Sequence, residues 1–523
     1  MELKYYGYNE YIKSGGCMLY TAVMLPSREG KFPTVIKRSP YVNSTVSMSD
    51  DKLLLSYMAE NEKWLKRGYA VVLQHCRGRG KSSGECIPFI NEREDGLSLH
   101  NYVRNQDFYN GELYLWGGSY CCEVHYATAP FADDIKGAVL RVRDTERYNF
   151  CYRNGFFKIG LFGDWFVTEM YKVRNGVTKN YTPKTFDTLP LKDFSKTVYG
   201  ETVPEFDEIL KHPDKNDPFW NTHLGGCVER EALKNVKFPV LIETAFYDIF
   251  EGGVFDMWNS MSEEAKSICA FVVSAYDHPD NSYSSPIPFP KASRAEKFGA
   301  EYDVDWFDYV RGKRDAPIAP GKVTYYNLFL NEWATDDFEL SGKSMNFTLG
   351  DKEITYTYNP YNAPAFPGGL SSNFGGVAFE NPAGTRYDVI SIYTDVFKEN
   401  VLVKGNMTAS LTVSSDCEDT AFYIRTSITK DGGDYGLRED IHSLSEFCPD
   451  YKIGDKVKID FTFDEHAFMI KAGERLRVDI ASADISNYVR HTNTKGLFSE
   501  QTTAKIAHNT VYLDKSYLKI PIE

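Results

Sequence analysis

At 523 residues, 42% hydrophobic and 25% charged, the chain has the composition of a soluble globular protein and the length for about three domains, each with its own core. A net charge of −14, with no Lys/Arg block to reverse it locally, excludes nucleic acid as a partner, because phosphates need a basic surface. No apolar run approaches the roughly 18 residues of a membrane span, which excludes an integral membrane protein of helical type. The opening stretch, MELKYYGYNEYIKS, lacks the basic and apolar regions of a secretory signal. The ten cysteines show neither CxxC pairs nor the spacing of a disulfide framework. Reduced thiols and a cytoplasmic setting are expected. Two local clusters invite a metal reading, Cys121-Cys122 with His125 and His75-Cys76. Neither has the paired spacing of a structural zinc site, so no metal and no cofactor is expected.

Along the chain, strand-like runs fall at residues 18–25, 34–37, 69–74 and 113–116. The turn Pro26-Ser27-Arg28-Glu29-Gly30 between the first two predicts a hairpin. Helical patterns lie at 53–67 and 96–103, and this alternation predicts a mostly parallel sheet covered by helices on both faces. The fourth run leads into GELYLWGGSYCCEVHYATA, residues 111–129. Strand, glycine turn, serine, helix is the pattern of a nucleophile elbow centred on Ser119. In that pattern the backbone N–H of Tyr120, at the start of the helix, faces a developing oxyanion. A βα turn that merely holds a serine fits the same residues.

From about residue 141 to 236 the strand pattern fades into an aromatic-rich stretch with a helical segment at 164–173, read as an insertion. The sheet pattern returns at 238–246 and 268–275. Beyond about residue 319 short β-rich segments dominate, at 324–330, 388–393, 407–414, 421–428, 457–463, 474–480 and 510–513. Separated by turns such as Asp431-Gly432-Gly433-Asp434, they read as a β-sandwich or jelly roll.

A serine nucleophile needs a general base, and the base needs an acid to hold its tautomer. The run at 238–246 leads to Tyr247-Asp248, and the run at 268–275 leads to Asp277-His278, so Asp248 and His278 both follow strand ends in the chain order Ser, Asp, His. Asp277 competes for the acid role, although a residue adjacent to His278 is poorly placed to orient its ring. Tyr41, in Ser39-Pro40-Tyr41 after an early strand, offers a phenolic O–H as a second oxyanion donor.

Taken in order, these motifs resemble the cocaine esterase, α-amino-acid ester hydrolase and X-prolyl dipeptidyl-peptidase group of serine hydrolases. The resemblance rests on Ser39-Pro40-Tyr41, Arg77-Gly78-Arg79-Gly80-Lys81-Ser82-Ser83-Gly84, Asn91-Glu92-Arg93-Glu94-Asp95-Gly96, Gly117–Tyr120 and Tyr247-Asp248. In the C-terminal region it adds Lys471-Ala472-Gly473-Glu474-Arg475-Leu476-Arg477 and Asn493-Thr494. It implies an α/β-hydrolase domain (1–140 and 237–318), an inserted helical cap (141–236) and a C-terminal all-β jelly roll of galactose-binding type (319–523). Carried over, Ser119 is nucleophile, His278 base and Asp248 orienting acid, with Tyr41 and Tyr120 as the oxyanion hole. The chain departs from the group at Cys122, where glycine is usual, and at His75, where aspartate is common.

For the acyl pocket the expected residues are Phe250, then Trp165 and Phe166 of the cap. Amino-acid ester hydrolases of this group hold an α-ammonium with acids two and three positions after the catalytic Asp. Here Phe250 and Glu251 occupy those positions, which favours a neutral acyl group while Glu251 keeps an amine-bearing substrate open. The expectation is therefore a hydrolase of small acyl esters or amides working through an acyl-enzyme. X-prolyl peptidase or amino-acid ester hydrolase activity is the alternative. A non-enzymatic alternative is an inactive hydrolase fold with a ligand-binding jelly roll. A small-molecule acyl substrate is the expected partner, and the oligomeric state stays open, a homo-oligomer included.

Overall fold

The computed structural model describes residues 4–42, 45–171, 188–221, 230–278, 289–369, 379–380 and 386–523. A ten-stranded sheet forms the N-terminal domain: β1 (Tyr6–Ser14), β2 (Cys17–Leu25), β3 (Phe32–Ser39), β4 (Ala70–His75), β5 (Tyr109–Gly118), β6 (Ile135–Arg141), β7 (Val240–Tyr247), β8 (Ala270–Asp277), β9 (Val323–Asn327) and β10 (Glu332–Asp336). Their order across the sheet is β1-β2-β4-β3-β5-β6-β7-β8-β9-β10. Strands β3 to β9 run parallel, and β1, β2 and β10 are antiparallel to their neighbours. Every residue of β4, β7 and β8 is buried, as strands covered on both faces require. This is the α/β-hydrolase domain that the motifs imply.

Three local expectations need correcting. The turn at residues 26–30 does not make a hairpin of the strands that flank it. β4 lies between β2 and β3, pairing antiparallel with the first and parallel with the second. The helical pattern at 53–67 is two helices, Asp50–Glu60 and Glu62–Lys66. They are split at Asn61, whose side chain donates to the Tyr57 carbonyl and accepts from Lys37 Nζ. The run at 324–330, read as the first strand of the jelly roll, is β9 and pairs parallel with β8. The hydrolase sheet thus continues through Asp336, past the expected end at residue 318.

The cap enters after β6 and returns at β7. Its described part consists of short helices and wide π-type turns at Ile159–Gly163 and Phe166–Tyr171, packed around Phe162, Phe166, Phe194 and Phe206. The C-terminal domain is a two-sheet sandwich. One sheet is centred on the long strand Ala507–Ile522, which pairs with Lys343–Thr348, Glu353–Tyr358 and Thr408–Ser415. The other is centred on Ala421–Lys430, paired with Gly433–Ser443 and Arg475–Ala481. Its inner-facing residues, Leu411, Ile424, Val478 and Leu518, are fully buried or nearly so. This domain grips the others through buried polar contacts. Arg153 of the cap pairs with Asp440 and Asp464 at 2.7 Å each, and Tyr247 Oη donates to the Gly436 carbonyl at 2.9 Å. Among the described residues no helix is long and apolar enough to cross a membrane.

Candidate active site

β5 ends in Gly117-Gly118, and the helix Tyr120–Tyr126 starts immediately after Ser119. Ser119 has φ 56° and ψ −130°, a backbone region that costs a non-glycine residue about 1–3 kcal/mol. It is held there by its N–H on the Arg141 carbonyl (3.0 Å) and by its carbonyl, which accepts from Cys122 and Glu123 N–H. The two glycines are unequal. A Cβ on Gly117 would stand 1.8 Å from the Cys121 carbonyl oxygen, so the helix can fold back only over glycine. A Cβ on Gly118 would meet nothing closer than 3.7 Å.

Strand ends bring the other two groups to this turn. His278 follows β8, and Asp248 follows β7. His278 Nδ1 is 2.7 Å from Asp248 Oδ2, and His278 Nε2 is 2.9 Å from Ser119 Oγ. A carboxylate can only accept, so Nδ1 carries the proton and Nε2 is left to accept from the serine hydroxyl. Asp248 is fully buried, and its second oxygen accepts the Phe250 N–H at 2.8 Å. Asp277, the competitor for the acid position, lines the same cavity but makes no bond to the His278 ring, which Asp248 occupies.

Tyr41 stands on the other side of the serine. Its phenol lies within hydrogen-bonding reach of Ser119, and Trp165 Nε1–H donates to its oxygen at 3.1 Å. With that lone pair engaged from behind, the phenolic proton is free to point at the serine. Tyr41 is 39% exposed at the cavity, and the protein packed around its hydroxyl pushes that group above the usual tyrosine range, so it stays a donor. The Tyr120 N–H is the first amide of the helix after the elbow, one of those a helix leaves without an internal partner.

The motif series between Arg38 and Gly96 is one support beneath the elbow. Tyr120 Oη donates to Glu92 at 2.9 Å and accepts the Phe89 N–H at 2.8 Å. Glu92 in turn holds Arg38 at 2.6 Å, and Asp95 holds Arg77 at 2.6 Å. Arg79, nearly fully buried, donates to the carbonyls of Pro40 and Glu169, tying the Tyr41 loop to the cap. Sequence reasoning gave Arg79 no role; its place inside the Arg-Gly-x-Gly run was the only signal. Gly80 has φ +54°, and a Cβ there would strike the ring of His75 at 2.4 Å. That ring accepts the Lys81 N–H and contacts Tyr57 Oη at 2.7 Å, with its basicity lowered to about 3 by burial. His75 therefore acts as a neutral brace for the glycine loop. Cys122 is fully buried, its thiol pushed up by burial. His125 is likewise buried, with Nε2 on the Trp116 carbonyl. Among the described residues no group of three or more His, Cys, Asp and Glu is arranged to hold a metal ion.

A cavity of about 690 Å³ opens at Ser119 and has two unlike halves. Phe150, Leu161, Trp165, Ile249 and Phe250 form an apolar wall under the cap. Arg141, Glu243, Ser274, Asp277 and Glu296 line the side over the sheet, with Arg141 paired to Glu243 at 2.8 Å. Phe250 also packs edge-on against the His278 ring, 5.4 Å between centroids.

Two expected pocket residues lie elsewhere. Phe166 is buried in the cap core against Phe162 and Phe206, because successive helical residues face different sides and Trp165 takes the side of the cavity. Glu251 does not line the cavity. It begins the helix Glu251–Ser260 and faces Arg438 of the C-terminal domain at 3.3 Å, in burial that pushes its carboxyl well above the usual range.

A family model described as X-Pro dipeptidyl-peptidase (S15 family) matches residues 15–278, and one for the X-Pro dipeptidyl-peptidase C-terminal non-catalytic domain matches 319–519. The chain belongs to the S15 family. It is a hydrolase of the serine type, with the family's α/β-hydrolase and all-β domains. The S15 assignment is joined by a cocaine esterase from Rhodococcus sp. (strain MB1 Bresler), 23% identical over 93% of this chain and 92% of the relative. Among solved structures, an aminopeptidase from a marine sediment Thaumarchaeota archaeon shares the fold at TM-score 0.82 and 16% identity, covering 100% of this chain and 97% of that one. An α-amino-acid ester hydrolase does so at 0.81 and 18%, covering 99% and 97%.

Proposed function

We propose that this S15 member hydrolyses esters of small apolar carboxylic acids, with Ser119 as nucleophile, His278 as general base and Asp248 as the acid that orients it. Ser119 Oγ attacks the carbonyl carbon while His278 Nε2 takes the hydroxyl proton. The carbonyl oxygen becomes an oxyanion between the Tyr41 phenol and the Tyr120 N–H. Collapse of that intermediate expels the alcohol, protonated by His278, and leaves an acyl-serine. Water, deprotonated by the same imidazole, then releases the acid and restores the serine.

The observation that carries the substrate reading is the apolar wall of Phe150, Leu161, Trp165, Ile249 and Phe250 beside Ser119, set against the engagement of Glu251 with Arg438. An acyl group seated on that wall meets no carboxylate from the second or third position after Asp248, Phe250 being apolar and Glu251 turned to Arg438, which suits a neutral acid. The polar half of the cavity suits the leaving group. Amine-bearing substrates, as for an X-prolyl peptidase or amino-acid ester hydrolase, form the second reading, because Glu169 lines the cavity beside Tyr41 and Trp165. A panel of p-nitrophenyl esters run beside aminoacyl and Xaa-Pro anilides separates the two. The first reading expects the highest kcat/KM on a phenylacetyl or short-chain acyl ester. A preference for aminoacyl or Xaa-Pro substrates would replace it with the second. A cytoplasmic location is also proposed, supported by the nine free cysteines of the described residues.

A further inference from the structure

A second cavity, of about 220 Å³, lies where the cap meets residues 87–90 of the hydrolase domain and shares no lining residue with the catalytic one. Its walls are mostly apolar, chiefly Ile87, Ile90, Phe162, Phe166 and Ile209. A space of about 150 Å³ accommodates benzene, so this one takes an aromatic ring with a short arm. The exception on its wall is Arg147. That side chain is only 7% exposed, yet its Nε and Nη1 have no hydrogen-bond partner. The guanidinium stacks on the Phe89 ring at 3.9 Å and touches the Cys151 thiol, neither of which neutralises it. The nearby buried carboxylate, Glu123, is paired with Arg143 at 2.5 Å. Glu123 also attracts Arg147, but its Oε2 is held by Arg143. Leaving two N–H groups of a buried guanidinium without an acceptor is unfavourable, and guanidinium geometry matches a carboxylate in bidentate fashion.

We propose that this cavity is a binding site for a small apolar carboxylate, the ring or chain lying among Phe162, Phe166 and Ile209 and the carboxylate on Arg147. Glu205 and Glu208 lie on the half-exposed part of the lining. Glu208 is engaged by Lys211 at 2.6 Å and His212 at 3.3 Å, which leaves the guanidinium to set the sign of the charge accepted inside. The site is independent of the triad assignment, since it uses none of its residues.

The test is calorimetric titration of the whole protein at pH 7 with phenylacetate, phenethyl alcohol and phenethylamine. These probes share their ring and differ in the group offered to Arg147. Phenylacetate is expected to bind at least about ten-fold tighter than the alcohol, the worth of one charge-assisted hydrogen bond, with the amine weaker still. Arg147→Met should lower phenylacetate affinity by about ten-fold or more. Ile209→Trp, which fills the cavity and keeps the charge, should abolish the same signal, and thermal melts of both variants confirm that they fold. Absence of phenylacetate binding to the wild-type protein, or a preference for the alcohol or amine, would overturn the proposal. So would binding that survives both substitutions, because the acid would then be seated elsewhere, in the catalytic cavity first of all.

Discussion

The two sides of the catalytic cavity are built by different means. Ser119, Asp248 and His278 sit where parallel strands β5, β7 and β8 end, so sheet register alone sets their spacing. Phe150, Leu161, Trp165 and Glu169 come from short helices and π-type turns of the cap, placed by packing of one aromatic on another. The chemistry therefore rests on the rigid layer, and selectivity on the adaptable one. Substitutions on the two sides should accordingly fail differently, the first in kcat for every substrate and the second in the ranking of substrates.

The largest effects belong to the strand ends. Ser119→Ala should cost about 10⁶ in kcat, and Asp248→Asn about 10⁴ through the wrong imidazole tautomer. Ser119→Ala should leave the thermal melt nearly unmoved, because the turn is enforced at Gly117 and not by the hydroxyl. Equal losses on all esters in stopped-assay kinetics would uphold the division.

Tyr41 joins the two sides, and its removal is the next largest effect. Tyr41→Phe should lower kcat by about 10² to 10³, the cost of one preorganised oxyanion donor, with little change in KM. Its raised pKa sets a sign that can be read directly. The protonated, donating form persists above the ordinary tyrosine value of about 10, so a pH–rate profile should show no alkaline fall through that region. A fall near pH 10 that disappears in the Phe variant would show a phenol with the ordinary tyrosine value instead. Trp165→Phe removes only the N–H that backs the phenol. It should cost about ten-fold in kcat, one neutral hydrogen bond's worth, and shift the ranking of acyl groups because the ring also lines the wall.

The smallest effect on chemistry is expected at Glu251. Glu251→Ala removes the carboxylate that faces Arg438, whose N–H groups stay on the Asp464, Glu465 and Leu437 carbonyls, and should destabilise the protein by about 1–3 kcal/mol, seen as a lower urea midpoint. The ratio of aminoacyl to simple acyl turnover should not change. A changed ratio would return Glu251 to the substrate.

How far the sequence revealed each region follows the same division. Strand-end residues were legible because a period-free apolar run ending in Gly-x-Ser, Tyr-Asp or Asp-His leaves few geometries open. That the series from Arg38 to Asp95 is one network beneath Tyr120 was not legible, since its members pair across strand and helix. Cap residues were harder still. Trp165 and Phe166 are neighbours with similar chemistry, and which of them faces the cavity depends on how the cap helices dock, which no local pattern announces. Glu251 misled for a third reason. Its partner Arg438 lies 187 positions away in another domain (438 − 251), and nothing local in the sequence announces it. The strand β9 was assigned to the wrong domain because a short β segment carries no mark of the sheet it joins.

The central claim, that Ser119 at the strained elbow is the nucleophile activated by His278, is tested most directly by a fluorophosphonate probe followed by peptide mass spectrometry. The account predicts a single adduct on the 111–129 segment at Ser119, absent in Ser119→Ala and greatly slowed in His278→Ala. An adduct on another residue, or labelling of the Ser119→Ala protein at the wild-type rate, would contradict it.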